Sequence, residues 1–168
     1  DANTTQLVRS SDYGSSWSPY STVTTGGKSV TALAYGGGST FYLGTSAPGA
    51  NSQFKSVDNG QTFTAMAANV PTSVFYTVTY PNDPARQDTV VFIGGSGVCK
   101  STDGGSTFTG LITNALGNTA VQPVVDGGEI TYLSGASVIQ STDYGTSFTN
   151  LGDIPTNTVF TWRGLAKV

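Results

Sequence analysis

Four aspartates in nearly identical surroundings are the first candidates for chemistry in this chain. They are Asp12, Asp58, Asp103 and Asp143. A carboxylate can act as a general acid, a general base or a nucleophile, and glycoside hydrolysis uses two of them roughly 5 to 9.5 Å apart. All four lie, without a gap, in the pattern Ser-x-Asp-x-Gly-x-(Ser/Thr)-(Trp/Phe). The question is therefore whether these side chains react or fold a turn.

The other positions of the pattern favour the structural interpretation. Ser and Asp side chains can bond to backbone N–H groups of a tight turn. The glycine permits a positive φ, and the closing ring begins the next strand, where we expect it to be buried between sheets. We predict no catalytic residue in the chain and a structural role for the following pattern residues: Ser10, Asp12, Gly14, Trp17, Ser56, Asp58, Gly60, Phe63, Ser101, Asp103, Gly105, Phe108, Ser141, Asp143, Gly145 and Phe148.

The pattern resembles the Asp-box, or BNR, repeat of sialidases, sortilin-type receptors, xyloglucanases and several lectins, all of which are β-propellers. Steps of 46, 45 and 40 residues between successive aspartates suit blades of four strands. The resemblance implies an all-β propeller of antiparallel four-stranded blades with Asp-box turns, about four blades with one incomplete. Because many unrelated activities share the repeat, it indicates the fold and not the function.

The strand that leads into each pattern alternates apolar and polar residues, as a half-buried strand does. The apolar column is Val8, Phe54, Cys99 and Ile139, and the polar column is Arg9, Lys55, Lys100 and Gln140. We therefore expect Cys99 to be a buried, inert thiol rather than a reactive one.

Two further sets of apolar residues supply the preceding strands. One set aligns Phe41-Tyr-Leu-Gly44 with Val91-Phe-Ile-Gly94 and Thr131-Tyr-Leu-Ser134, and the other centres on Leu33, Val78, Val124 and Leu165. Each full repeat is then strand a, strand b, strand c, the Asp-box turn and strand d. The glycine-rich segments 36–38 and 126–128 are expected to be a–b turns.

The two ends of the repeat are incomplete. We predict a single module over residues 1–168, with repeats of about 1–27 (partial), 28–69, 70–114, 115–154 and 155–168 (partial), and 15 strands in all. Three explanations remain open: a four-bladed ring closed by the last strand a, a piece of a six- to ten-bladed propeller, or a blade completed by a neighbouring copy.

The resemblance also implies that the b–c and d–a loops form the ligand face, and that the a–b turns and Asp boxes lie on the other face. The b–c loop of the second repeat, residues 45–52, is expected to be five residues longer than its equivalents. The candidate ligand-face residues are Ser46, Asn51, Asn69, Asn114, Asn118, Asp153 and Asn157. Amides and hydroxyls can bond to sugar hydroxyls; the alternative is that they only make turns.

Composition excludes several classes of function. Only 10% of the residues are charged, the net charge is −3, histidine is absent and there is one cysteine. These values argue against nucleic-acid binding through a basic stripe and against the usual zinc, haem and thiol-protease sites. No apolar run approaches the roughly 18 residues of a membrane-spanning helix. We expect no cofactor, no metal and no membrane span.

The enzymes of the Asp-box group need carboxylates or arginines that this chain does not supply in an obvious set. Of its acidic residues, only Asp153 falls on the expected ligand face, in the last d–a loop. The arginines Arg9, Arg86 and Arg163 lie at different strand levels, unlike the arginine cluster of sialidases. Phe160-Thr-Trp-Arg163 loosely resembles a strand of the xyloglucanases.

Low charge and abundant Ser and Thr suit a secreted or cell-surface protein without disulfides, and Asn3-Thr-Thr5 is an N-glycosylation sequon. We therefore expect a non-catalytic extracellular module that binds glycan or protein, or assembles with other copies through its open blade. The alternative is a fragment of a glycoside hydrolase of the xyloglucanase or sialidase kind.

Overall fold

The computed structural model describes residues 3–46, 53–66, 74–110, 112–113 and 122–154, excepting the side chain of Phe75. This part of the chain contains thirteen strands and no helix. The strands are β1 (Thr4–Arg9), β2 (Ser18–Thr24), β3 (Val30–Gly37), β4 (Thr40–Thr45), β5 (Gln53–Ser56), β6 (Thr64–Ala65), β7 (Val74–Thr79), β8 (Val90–Gly94), β9 (Gly97–Ser101), β10 (Val124–Asp126), β11 (Glu129–Ser134), β12 (Ser137–Ser141) and β13 (Thr149–Asp153).

The strands form four antiparallel sheets in chain order, each lying within one of the predicted repeats. We call them blades 1 to 4: β1-β2, β3-β4-β5-β6, β7-β8-β9 and β10-β11-β12-β13. Within the described residues of blade 3, the predicted fourth strand is represented by one bridge, between Val98 and Ile112. The a–b turns predicted at 36–38 and 126–128 are confirmed to within two residues, since residues 38–39 join β3 to β4 and residues 127–128 join β10 to β11. The predicted last strand lies outside the described residues.

Three apolar cores lie between successive blades. The core between blades 1 and 2 includes Val23, Leu43 and Phe54, and the core between blades 2 and 3 includes Tyr42 and Phe92. The third core, between blades 3 and 4, includes Val91, Tyr132 and Ile139. Since side chains alternate along a strand, neighbouring residues of β8 belong to different cores. Burying each large apolar side chain contributes about 1.5–3 kcal/mol.

Cys99 lies in the core between blades 2 and 3 and is fully buried. It is a free thiol, and burial raises its pKa to about 12, partly opposed by a backbone hydrogen bond at Phe92. A thiol with this pKa is almost entirely protonated near neutral pH, and only the thiolate is a good nucleophile. The prediction of a buried cysteine is confirmed, and the raised pKa is in keeping with an inert thiol.

The register of strand b in blade 2 differs from the predicted alignment by one residue. Phe41 pairs with Ser56, whereas Val90 pairs with Ser101 and Ile130 with Ser141. Phe41 is therefore equivalent to Val90 and Ile130, and the b–c loop of blade 2 is longer by four residues rather than five. The physical reason is that side chains along a strand alternate between its two faces. With this register Leu43, Phe92 and Tyr132 all face the preceding blade, and a slip of one residue would turn them to the opposite face.

Strand a of blade 2 carries the same correction. Leu33 pairs with Leu43, while Val78 pairs with Val91. Leu33 is consequently equivalent to Thr77 and not to Val78, and it lies on the face of blade 2 that is turned toward blade 1. The side chain of Leu33 is 55% exposed there, because the described part of blade 1 has no strand a or b to cover it.

Two burial predictions for blade 1 are wrong for the same reason. Trp17 is 63% exposed and Val8 is 52% exposed, although their pattern positions predict core residues. The equivalent ring of the last repeat, Phe148, is 6% exposed and lies in the core between blades 3 and 4. A closing ring thus packs toward the preceding blade, and in the described residues no blade precedes blade 1.

Candidate functional site

Each of the four aspartates is hydrogen-bonded within its own turn. In the third turn the Ser101 hydroxyl donates to Asp103 Oδ1 at 2.7 Å and accepts from the Gly105 amide at 2.7 Å. Asp103 Oδ1 accepts from the Thr107 amide at 2.9 Å, and Oδ2 accepts from the Thr107 hydroxyl at 2.6 Å. The same bonds recur at Asp12, Asp58 and Asp143. Both carboxylate oxygens are therefore engaged in holding the turn.

These donors lower the pKa of every one of the four carboxyls. Hydrogen bonds from the Ser16 hydroxyl and amide, followed by Ser10, lower the pKa of Asp12 to about 2. The hydroxyl and amide of Thr62 do the same for Asp58. At Asp143 burial is the largest single cause and raises the pKa, but the bonds from Ser147 and Ser141 outweigh it and the pKa is about 2. Such carboxylates stay ionised, which suits turn formation and not general acid catalysis.

The turns lie beside the a–b turns of their own blades. The amides of Asn59, Gly104 and Tyr144 donate to the carbonyls of Ser39, Asp88 and Gly128 at 2.9, 2.8 and 2.9 Å. These three bonds join the Asp-containing turn of each of blades 2 to 4 to the first hairpin of the same blade. In each of these three blades the Asp-containing turn and the a–b turn therefore support each other through a backbone hydrogen bond.

Two lysines connect one blade to the turn of the next, a role that was not predicted from the sequence. Lys55 Nζ of blade 2 donates to the Gly104 carbonyl of blade 3 at 2.7 Å. Lys100 Nζ of blade 3 donates to the Thr146 hydroxyl of blade 4 at 2.7 Å. Burial lowers the pKa of Lys100, partly opposed by Asp143 and reinforced by Arg86. The sequence does contain an indication of this role, since the polar column places a basic residue directly before the pattern in blades 1 to 3.

Of the seven candidate ligand-face residues, the structure describes two, Ser46 and Asp153. The Ser46 amide, directly after β4, donates to the Ser29 carbonyl at 2.9 Å. Asp153 is the last residue of β13 rather than part of a d–a loop, and its Oδ1 accepts from the Ser137 hydroxyl at 2.5 Å. This bond places Asp153 beside the b–c turn of blade 4. The remaining candidates, Asn51, Asn69, Asn114, Asn118 and Asn157, lie outside the described residues.

The sequon residue Asn3 is exposed at the start of β1. Its carbonyl accepts from the amides of Thr25 at 2.9 Å and Gly26 at 3.0 Å. The backbone is thus anchored to the end of β2 while the side chain remains accessible.

An axial cleft of about 420 Å³ lies where the first strands of blades 2, 3 and 4 approach each other. Its walls include Thr31 and Leu33 of β3, Thr77 and Thr79 of β7, and Val125 of β10. The Thr79 hydroxyl donates to the Tyr35 carbonyl at 2.7 Å, which holds β7 against β3. No carboxylate is among the described residues lining this cleft.

A second cleft, the first-blade groove, has a volume of about 260 Å³ and runs between β1 and blade 2. It is lined by Leu7, Val8 and Arg9 of β1 and by Leu33, Phe41 and Phe63 of blade 2, with Tyr20 and Asn59 at its margins. The Arg9 guanidinium lies over the Tyr20 ring, 5.3 Å from its centroid. The groove is predominantly apolar and carries one cation.

Among the described residues, no three acidic, cysteine or histidine side chains come close enough to hold a metal ion. The same residues include no helix long and apolar enough to cross a membrane. The candidate site therefore rests on the axial cleft, the first-blade groove and the four turns, whose carboxylates are already hydrogen-bonded.

Comparisons with known proteins give the fold. No family profile and no curated protein sequence matches the chain. Among solved structures, the GH74 enzyme of Niastella koreensis matches with a TM-score of 0.63 and 22% identity, over 88% of this chain and 26% of that one.

Two matches are structures of YCF48. The protein from Cyanidioschyzon merolae aligns with a TM-score of 0.53 and 15% identity, over 74% of this chain and 37% of that one. YCF48 bound to a D1 peptide aligns with a TM-score of 0.53 and 12% identity, over 86% of this chain and 74% of that one.

These neighbours are β-propellers, and together with the four antiparallel blades they confirm the predicted fold. The chain spans about a third of the YCF48 structure from Cyanidioschyzon merolae and about a quarter of the GH74 enzyme.

Proposed function

We propose that this chain is a non-catalytic, extracellular binding and assembly module whose four turns are Asp-box repeats. The observation that carries the proposal is the apolar first-blade groove, which lies beside the edge of β1 that has no strand neighbour within the described residues. A sheet edge with unpaired backbone groups is a template for another polypeptide strand. The four aspartates support the non-catalytic part, since their carboxylates are engaged by their own turns.

A protein partner is better supported than a glycan. The first-blade groove is lined mainly by Leu7, Val8, Leu33, Phe41 and Phe63, and apolar side chains of this kind bind polypeptide side chains rather than sugar hydroxyls. A structural neighbour, YCF48, is described as bound to a D1 peptide, so a related fold accommodates a peptide. A second copy of the chain, exchanging a strand through the open blade, is one form that this partner can take.

Secretion and glycosylation belong to the proposal as well. The exposed position of Asn3 leaves its amide accessible for an N-linked glycan. Mass spectrometry of the protein purified from its source, before and after enzymatic removal of N-glycans, tests this part directly. A loss of hexosamine-containing mass at Asn3 supports it, and an unmodified Asn3 in the secreted protein contradicts it.

The binding proposal is tested by exposing the purified chain to a displayed library of random peptides and to a glycan array, and by measuring its mass in solution. We expect the selected peptides to compete with one another for one surface, and any self-association of the chain to compete with them there. Failure of any polypeptide, including a second copy, to bind would overturn the proposal. Release of reducing sugar from any polysaccharide by this chain alone would equally contradict it.

The alternative is a fragment of a glycoside hydrolase. The observation in its favour is the match to the GH74 enzyme over 88% of this chain, although the chain covers only 26% of that enzyme. If the encoding gene continues through further blades, the full product should be assayed on xyloglucan and on sialylated glycans. Hydrolysis that is lost on replacing a carboxylate outside the four turns would establish this alternative.

A further inference from the structure

The connection between the first two strands of blade 3 is longer than its equivalents. Residues 80–89 join β7 to β8, whereas residues 38–39 and 127–128 are enough in blades 2 and 4. Backbone hydrogen bonds order the longer connection, since the amides of Asp83, Arg86 and Thr89 each donate to the carbonyl three positions earlier, at 3.2, 2.9 and 2.8 Å. Extra residues in one repeat of an array form a surface loop, and such loops often carry binding sites.

The longer connection lines a pocket of about 180 Å³, which we call the blade-3 pocket. Residues 84–89 line one part of it, and Lys100 and Thr102 line the remainder. Arg86 is exposed and its Nη1 donates to the Ala85 carbonyl at 3.1 Å, whereas Lys100 is only 7% exposed. All of these lining residues belong to the described part of the chain. The pocket therefore brings together two cations, one at the surface and one buried.

Neutral groups of blade 4 hold both cations in place. The Arg86 guanidinium lies over the Tyr144 ring, 4.7 Å from its centroid, and Lys100 Nζ donates to the Thr146 hydroxyl at 2.7 Å. Burial lowers the pKa of Lys100, Asp143 opposes this effect, and the Arg86 guanidinium adds to it. The two positive charges are therefore close enough to repel each other, and an anion between them would relieve that repulsion.

The carboxylates of the chain have other positions or other partners. Asp88 lines the pocket, but its Oδ1 lies 3.8 Å from where a Cβ of Gly104 would stand. Burial raises the pKa of Tyr42 in blade 2 to about 12 and the charge of Asp88 adds to that rise, so this carboxylate acts toward blade 2. Both oxygens of Asp143 are held by its own turn. Of the acidic residues in the sequence, Asp1 alone lies outside the described part.

We propose that the blade-3 pocket binds a tetrahedral oxyanion, the chemistry shared by phosphate and sulfate groups, between the Arg86 guanidinium and the Lys100 ammonium. Charge-assisted hydrogen bonds from arginine and lysine are the usual means of binding such groups, and the Thr102 hydroxyl is a further donor. The volume is below the roughly 300–1,000 Å³ of pockets for larger ligands, which suits one anionic group. This site is separate from the first-blade groove, so the proposal goes beyond the proposed function.

The test titrates the full chain with inorganic phosphate and, separately, with sulfate, while sodium chloride keeps the ionic strength constant. Backbone amide shifts followed by NMR should change saturably at residues 84–89 and 100–102, and should stay unchanged in β1. A parallel titration with methyl phosphate distinguishes the free ion from a phosphoryl group carried on a larger molecule. The absence of saturable shifts at residues 84–89 with both inorganic ions would overturn the proposal.

Two variants that remove the same charge separate this pocket from a general effect of net charge. Arg86→Gln removes the exposed cation of the pocket, and Lys28→Gln removes a cation between β2 and β3. We expect Arg86→Gln to weaken anion binding about tenfold or more, and Lys28→Gln to bind as the parent does. An equal loss in both variants, or no loss in Arg86→Gln, would contradict the proposal.

The buried cation has its own matched control in blade 2. Lys55 and Lys100 hold equivalent positions and each donates to the turn of the following blade, so Lys55→Gln and Lys100→Gln each remove one such bond. Blade 4 already carries Gln140 at this position, so the fold accepts glutamine there. We expect Lys100→Gln alone to lower the affinity for phosphate, and equal affinities of the two variants would refute the role of Lys100.

The side chain of Asp1 is the competing occupant. If it fills the pocket, Asp1→Asn will bind phosphate more tightly than the parent chain, and that result would overturn the proposal of a separate anion. Unchanged affinity in Asp1→Asn supports it. Failure of anion binding would leave the proposed function standing, since that function is tested with peptides and with a second copy of the chain.

Discussion

The first and fourth turns have almost the same sequence and very different surroundings. Ser10-Ser-Asp-Tyr-Gly14 and Ser141-Thr-Asp-Tyr-Gly145 share their serine–aspartate bonds, at 2.7 and 2.8 Å, and the tyrosine has a φ of 57° in one and 58° in the other. In the first turn the tyrosine is fully exposed. In the fourth, Tyr144 lies against Tyr80 at 5.2 Å and beneath the Arg86 guanidinium at 4.7 Å.

The comparison separates what the pattern encodes from what its neighbours supply. The hydrogen bonds that the serine and aspartate side chains make within the turn involve residues no more than four positions apart, so these bonds recur in all four copies of the pattern. Burial of the tyrosine, the glycine and the closing ring depends on a preceding blade, which blade 4 has and the described part of blade 1 lacks. Substitutions at equivalent positions should therefore have unequal effects.

The closing ring should show the largest difference. Phe148→Ala removes a buried ring from the core between blades 3 and 4 and should lower the free energy of unfolding by about 3–5 kcal/mol. Trp17→Ala removes an exposed ring and should cost no more than about 0.5 kcal/mol. Equilibrium denaturation in urea measures both. Similar costs would mean that Trp17 is covered by residues outside the described part.

The glycines should show the next largest difference. Gly145 has a φ of +77°, and an added Cβ would stand 2.8 Å from Val91 Cγ2. Gly14 has a φ of +88°, but the nearest atom, of Trp17, is 4.0 Å away. In both alanine variants the positive φ should lower the free energy of unfolding by about 1–2 kcal/mol. Overpacking against Val91 should lower it by about 1–3 kcal/mol more in Gly145→Ala. Thermal unfolding of the two variants would reveal whether this extra cost exists.

The tyrosines should differ in sign. Tyr13→Gly relieves a positive φ at a side chain that makes no buried contact, and should raise the free energy of unfolding by about 0.5 kcal/mol after the entropy cost of glycine. Tyr144→Gly relieves the same φ but loses two ring contacts, and should lower stability by about 1 kcal/mol. Stabilisation of both variants would show that the contacts of Tyr144 contribute nothing.

Titration of the two aspartates should show almost no difference. The pKa of both Asp12 and Asp143 is about 2, below the ordinary value of 3.8. Since the folded-state pKa is depressed, these carboxylates stabilise the fold above about pH 4, and that contribution is lost as the pH falls toward 2. Carboxyl chemical shifts followed by NMR should give matching curves. A normal pKa at Asp12 alone would show that its turn opens in solution.

Much of the fold follows from the sequence. The pattern identifies all four turns, because each bond it needs is local, and the alternating columns identify strands β5, β9 and β12. The burial of Cys99 also follows, since its column faces inward in a blade that has a neighbour on each side. The Asp-box assignment itself and the extent of the module remain predictions.

The rest depends on contacts that no local pattern records. The b–c loop of blade 2 is longer than its equivalents by four residues and not five, and this difference of one residue in register places Leu33 on the other face of blade 2. Spacing in the sequence alone could not distinguish these two lengths. Trp17 occupies a core position in the pattern but lacks a partner among the described residues. The hydrogen bonds of Lys55 and Lys100 cross between blades, so the polar column indicated cations without showing where they reach.

The position of Cys99 has a practical consequence. The chain has one thiol, and it lies between the two middle blades, protonated and shielded from reagents. An alkylating probe will therefore mark only molecules whose middle interface has separated. The mass of one adduct, followed over time, would count these openings without any engineered label.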